Sequence, residues 1–127
     1  MNRDLEVVVV DDEEQITDLL TTYIPLAAKR IQVHPFNDSL VAKDFVAHHI
    51  VDVLITDYKM PRLNGLQLIE SAPPQVKKVM LSGYVSDISE EKLQKLNAVY
   101  IEKPVPLRAL AKVITDQQDL ILSEPVA

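Results

Sequence analysis

Apolar positions along this chain alternate between two rhythms. Leu5 to Val10 is almost wholly apolar, the pattern of a strand covered on both faces. From Ile16, apolar residues follow at Leu19, Leu20, Tyr23, Ile24 and Ala27, a helical spacing. Pro25 falls late in that pattern and is expected to kink or end the helix. Ile31 to Phe36 reads as a shorter, weaker strand. Asp38-Ser39 offers an N-cap for a second helix carrying Val41, Ala42, Phe45 and Val46. Residues 51–57, VDVLITD, form another buried strand that ends on an acid. Asn64 with Gln67 three residues on is a capping pair for a short helix through Ser71, closed by Pro73-Pro74. Residues 78–83, KVMLSG, are a further buried strand. Asp87 with Glu90 is expected to cap a weakly patterned fourth helix to about Leu96. Residues 98–104, AVYIEKP, hold a fifth strand, and Leu107, Leu110, Ala111 and Ile114 mark a last amphipathic helix.

The order is strand then helix, five times over. With short loops, that alternation means right-handed crossovers and a parallel sheet with helices on both faces. No repeat, low-complexity stretch or linker interrupts it. The expected organisation is one domain over residues 1–122, with the final SEPVA, 123–127, as a frayed tail.

Composition narrows the chemistry. The 127 residues are 47% apolar and 25% charged, the mix of an ordinary globular domain. With no cysteine, disulfides, thiolate metal sites and cysteine nucleophiles are excluded. A net charge of −6 argues against a nucleic-acid footprint. Three histidines, His34, His48 and His49, are too few and too poorly spaced for a histidine metal site. No apolar run reaches the roughly 18 residues of a membrane span, and MNRDLEV is no signal peptide. The expected location is the cytoplasm.

In an open parallel sheet, ligands bind beyond the carboxyl ends of the strands. Asp11, Asp12 and Glu13 follow the first strand, Asp57 ends the third, Ser82-Gly83 ends the fourth and Lys103-Pro104 ends the fifth. The second strand ends in Phe36-Asn37 and supplies nothing obvious. Each of these features alone has a plainer reading. Asp11 to Glu14 could be a solvated first helical turn, Ser82-Gly83 a turn, and Lys103 a loop lysine. Their gathering on one edge changes the weighing. Asp11, Asp12 and Asp57 repel one another unless a cation joins them, and hard oxygen donors without sulfur or imidazole suit Mg²⁺. Lys103 supplies one positive charge against three negative. Asp57 beside such a cation is read as a nucleophile for a phosphoryl group, with Ser82 donating to a phosphoryl oxygen.

The stretches VVVVDDEE, VLITDYKMPRLNGLQLI, VMLSGY and VYIEKPV together resemble the receiver domain of bacterial two-component response regulators, over essentially the whole chain. That resemblance implies a flavodoxin-like, doubly wound (βα)5 sandwich around a five-stranded parallel sheet. It makes Asp57 the phosphoacceptor, Asp12 a direct Mg²⁺ ligand, Asp11 a ligand through water and the Lys59 carbonyl a further ligand. Ser82 matches the family's Ser/Thr switch position, Tyr100 its aromatic partner and Lys103 its lysine, with a cis Lys103-Pro104 bond. The phosphoryl donor would be a histidine kinase or histidine phosphotransfer protein. Phosphorylation would reshape the face of the fourth helix, fifth strand and fifth helix, read by an output domain or protein and offering a homodimer contact. No direct nucleic-acid or membrane binding is implied, and no enzyme activity beyond assisting phosphorylation and slow self-hydrolysis. The alternative is a receiver-like binding module that works without phosphorylation. Three features depart from the pattern. Asn64 stands where the family often has Asp. The 25-position spacing from Asp57 to Ser82 implies a shortened third helix or loop. Tyr84, two residues beyond Ser82, is expected to slow self-hydrolysis by screening the attacking water.

Overall fold

The computed structural model describes residues 3–83 and 88–122. The chain runs β1 (Leu5–Val10), α1 (Glu14–Ala27), β2 (Ile31–Phe36), α2 (Ser39–His48), β3 (Val53–Asp57), α3 (Gly65–Ser71), β4 (Lys77–Ser82), α4 (Glu90–Lys95), β5 (Ala98–Glu102) and α5 (Leu107–Leu122). All strand pairs are parallel, in the order β2-β1-β3-β4-β5. The expected flavodoxin-like sandwich is therefore the observed fold. The order reverses at β1, which has β2 on one side and β3 on the other. Connections leaving β1 and β3 consequently turn to opposite faces and open a crevice between their carboxyl ends.

The Val7–Val10 run is apolar throughout because its residues serve two cores. Val7 and Val9 join Leu20, Ile24, Val79, Leu81, Leu110 and Ile114 beneath α1 and α5. Val8 and Val10 join Ala42, Val46, Leu54, Leu68, Ile69 and Met80 beneath α2 and α3. Each side chain of this kind contributes roughly 1.5–3 kcal/mol on full burial. The sheet is thus pinned from both sides, and the loops at its carboxyl edge start from fixed points.

Caps set the helix starts. Asp38 Oδ1 accepts from the Leu40 and Val41 amides at the head of α2. Asn64 and Gln67 form the expected reciprocal capping box on α3. The short spacing from Asp57 to Ser82 is met by an α3 of only seven residues. At α4 the expectation needs correction. The helix starts at Glu90, and Ser89 Oγ accepts from the Lys92 amide at 3.2 Å, so Ser89 is the cap. Asp87 lies outside the described residues. α1 continues two residues past Pro25, which sits in its last turn. β3 begins at Val53, two residues later than the apolar run, because Asp52 is committed elsewhere. Its buried carboxylate holds Arg3 through both oxygens, at 2.6 and 2.7 Å, and also accepts from the Glu6 amide. That cluster closes the amino-terminal edge of the sheet, opposite the crevice. Among the described residues, no helix is long and apolar enough to cross a membrane. The tail 123–127 lies outside the described residues.

Candidate functional site

Asp11 is the first residue past β1, and its polar atoms are held from four directions. Its amide donates to the Phe36 carbonyl at 3.1 Å, and its own carbonyl accepts from Asn37 Nδ2 at 2.8 Å. Oδ1 accepts from the Glu13 amide at 2.9 Å, and Oδ2 lies 3.2 Å from Lys103 Nζ. The residue is 2% exposed, whereas Asp12 beside it is exposed. Asp57 ends β3, the central strand, and its Oδ1 lies 3.2 Å from the same Lys103 Nζ. One carboxylate oxygen from each of Asp11, Asp12 and Asp57 lies within 4.8 Å of the other two. Lys103 reaches them from the loop after β5, where the Lys103-Pro104 peptide is cis.

The electrostatics follow from that crowding. Burial raises the Asp11 pKa above the ordinary carboxylate value, opposed by the Glu13 amide; repulsion from Asp57 raises it further, and Lys103 offsets part of this. Burial works against charge on Lys103, yet the Asp11 and Asp57 carboxylates overcome it and hold its pKa above the usual lysine value. One ammonium therefore stays charged among three carboxylates and leaves them short of positive charge. Three oxygen donors in so small a space fit a hard divalent cation.

The remaining residues lie around this centre. Ser82 is buried at the end of β4, and its carbonyl accepts from the Lys103 amide at 2.7 Å. Asp57 registers with Leu81 and Ser82 with Glu102, so Ser82 sits on the strand beside Asp57. Tyr100 lies on the same face of the sheet as Ser82, about two residues lower in register, half-buried against the α2–α3 core. It lines a groove with Ile88, Glu90, Leu93 and Gln94 between α4 and β5. Lys59 is exposed in the loop after Asp57, beside Tyr58, Met60, Pro61 and Asn64. Tyr84 lies outside the described residues. Thus Asp11, Asp12, Asp57 and Lys103 meet directly, Ser82 and Lys59 flank them on adjoining chain, and Tyr100 stands further along the sheet.

Asn37, which the sequence reading did not place in the site, and Gly65, which it read only as a loop residue on the site's edge and which in fact opens α3, both belong to the site's frame. Asn37, at the end of β2, donates to the Asp11 carbonyl and to Thr17 Oγ1. Gly65 opens α3 directly against the Asp57 peptide. A Cβ there would stand 2.2 Å from the Asp57 carbonyl oxygen. The signal for Asn37 was its place at a strand's carboxyl end; for Gly65 it was a glycine inside a capping box, where a better helix former would be expected.

Known proteins share this fold. The family model for the response regulator receiver domain matches residues 7–115. This chain belongs to the response regulator receiver family. The receiver is 32% identical over 118 residues to the regulatory protein VanRc of Enterococcus gallinarum, covering 87% of this chain and 48% of that protein. It is 32% identical over 117 residues to the autoinducer 1 sensor kinase/phosphatase LuxN of Vibrio campbellii, covering 89% of this chain and 13% of LuxN. The chain thus spans about half or less of the length of these curated relatives. Among solved structures, a CheY-like receiver domain protein from Methanospirillum hungatei superposes with a TM-score of 0.81 at 25% identity, covering 92% of this chain and 95% of that one. The receiver is accordingly a phosphoacceptor module of two-component phosphorelay signalling.

Proposed function

We propose that Asp57 is the phosphoacceptor of this receiver, and that it takes its phosphoryl group from a phosphohistidine of a histidine kinase or histidine phosphotransfer protein. The observation that carries this reading is the single ammonium of Lys103 shared between Asp11 and Asp57 at 3.2 Å each, with Asp12 completing the acidic cluster. A carboxylate oxygen of Asp57 attacks phosphorus as the phosphorus–nitrogen bond to the donor imidazole breaks. The electron pair stays with the imidazole, and the product is an aspartyl phosphate. Asp12 and Asp57, with Asp11 through water and the Lys59 carbonyl, would hold Mg²⁺. That ion, when bound, neutralises phosphoryl oxygens and lowers the repulsion between an incoming phosphate and the acids. Lys103 provides a fixed positive charge 3.2 Å from Asp57 Oδ1, and the Ser82 hydroxyl donates to a phosphoryl oxygen. Positioning and charge are most of what phosphoryl transfer demands.

Phosphorylation then favours a conformer in which Ser82 moves toward the phosphate and Tyr100 turns inward behind it. The α4–β5–α5 surface changes with it, for an output domain or protein to read and for two copies to pair through. Tyr84 slows the water-driven loss of the phosphate. LuxN and VanRc, by their names, belong to kinase and regulatory proteins, the kind of context this reading requires. The testing experiment incubates the protein with a small acyl phosphate and Mg²⁺ and follows intact mass. A gain of one phosphoryl group that needs Mg²⁺ and disappears in Asp57→Ala is the expected result. No gain under any condition would favour a binding module that works without phosphorylation.

A further inference from the structure

Asn37 is a polar side chain at the carboxyl edge that the phosphoryl chemistry above leaves unused. Its amide nitrogen donates to the Asp11 carbonyl at 2.8 Å and to Thr17 Oγ1 at 2.9 Å. A carbonyl oxygen only accepts, so the nitrogen and not the oxygen of the Asn37 amide must face it. Thr17, 1% exposed, donates its own hydroxyl hydrogen bond to the Glu14 carbonyl at 3.0 Å. One side chain just past the edge strand β2 thereby ties the end of β1 to the first turn of α1. Between those two anchors lie Asp12 and Glu13.

The Asp11 carbonyl and the Asp12 amide belong to one planar peptide. A hydrogen bond that fixes that oxygen therefore fixes the plane from which the Asp12 side chain departs. Nothing else described holds Asp12 so closely. Asp11 is anchored through its amide and both carboxylate oxygens, while Asp12 is exposed. Groups that orient metal-ligand residues from behind typically change metal affinity by about 10–100-fold when removed.

We infer that Asn37 is a positioning residue for the cation site: it sets the Asp11–Asp12 peptide so that the Asp12 carboxylate is preorganised for a divalent ion. This rests on the proposed Mg²⁺ site, so the test separates the two. The thermal midpoint of the full chain is measured against Mg²⁺ concentration, with no phosphoryl donor present. The rise in midpoint with ligand reports affinity whatever the starting stability. Wild type, Asn37→Ala, Asn37→Asp and Thr17→Val are compared. Asn37→Asp keeps the shape but puts an acceptor oxygen against the Asp11 carbonyl, and serves where Asn37→Ala does not fold. Thr17→Val removes the second hydrogen bond but leaves the one to Asp11.

Both Asn37 variants should weaken Mg²⁺ binding by about ten-fold or more, while Thr17→Val stays within about two-fold. The Asp12 amide resonance should also shift in Asn37→Ala without Mg²⁺, and stay in place in Thr17→Val. If wild type shows no Mg²⁺-dependent rise, the cation site itself falls. If wild type responds and the Asn37 variants bind Mg²⁺ equally well, the positioning role falls and the site stands. Equal weakening by Thr17→Val would likewise overturn it, by reducing Asn37 to general support of the fold.

Discussion

Gly65→Ala pits two effects of opposite sign against each other. Gly65 is the first residue of α3, where alanine should favour the helix by about 0.5–1 kcal/mol. A Cβ built there lies 2.2 Å from the Asp57 carbonyl oxygen and 3.0 Å from both the Asp57 carbonyl carbon and Tyr58 Cα. All three obstacles are backbone, so no side chain can swing aside. Restoring ordinary van der Waals separation needs the α3 start and the Asp57–Tyr58 peptide to part by about 1 Å. The approach is also tied from the other side, because the Gly65 amide donates to the Tyr58 carbonyl at 2.8 Å. Overpacking of this kind costs about 1–3 kcal/mol, which exceeds the helix gain. The displaced peptide is that of Asp57, the proposed phosphoacceptor, where a shift near 1 Å costs on the order of 100-fold in rate. Gly83 is the control, with nothing within 4 Å of its added Cβ. Urea unfolding and the rate of phosphorylation by a small acyl phosphate are the assays. Gly65→Ala should be less stable by about 1–2 kcal/mol and slow by at least tenfold, with Gly83→Ala within about 0.5 kcal/mol of wild type. A Gly65→Ala protein more stable than wild type and phosphorylated at the normal rate would mean that α3 does not press on the Asp57 peptide.

Other consequences can be tested in parallel. The Lys78 side chain is 1% exposed, donates among the described residues only to the Pro73 carbonyl, and has its pKa lowered by burial. The unfolded chain therefore binds the proton more readily than the folded one, so this group makes stability rise with pH up to about 10.4 and fall as pH drops through the lowered value. Lys78→Met should remove that slope and add about 1–3 kcal/mol near neutral pH in urea unfolding; an unchanged slope would contradict the buried-charge assignment. Arg3→Ala should strand the buried Asp52 carboxylate on the Glu6 amide alone and cost about 2–3 kcal/mol, with phosphorylation of the remaining folded protein unaffected. A loss below about 0.5 kcal/mol would show that the pair adds little to the closed amino-terminal edge.

How much of this was legible in the residues varies with the physical signal. The two-sided Val7–Val10 strand and the Asn64–Gln67 capping box were readable because periodicity and capping are local. The start of α4 was misread because Asp87 and Ser89 both make acceptable caps, and only the path of the chain selects Ser89. The start of β3 was drawn too early because Asp52 interrupts an apolar run for a reason, the Arg3 pair, that lies 49 positions away. The acidic cluster and Lys103 could be gathered because parallel-sheet topology alone sends strand ends to one edge. Asn37 was missed for a different reason: an amide whose partners are a backbone carbonyl and a threonine on other elements leaves no pattern in sequence. Lys78 gave no warning either, since a lysine opening a strand normally reads as its solvent-exposed end.

The central claim is that the three acids and Lys103 make one particular aspartate phosphorylatable, and its site can be read chemically. After incubation with acyl phosphate and Mg²⁺, borohydride reduces an aspartyl phosphate to homoserine, and peptide mass spectrometry locates it. Homoserine is expected at position 57, dependent on Mg²⁺, and none at positions 11 or 12. Homoserine at another acid, or none at 57 in protein that has gained a phosphoryl group, would contradict it.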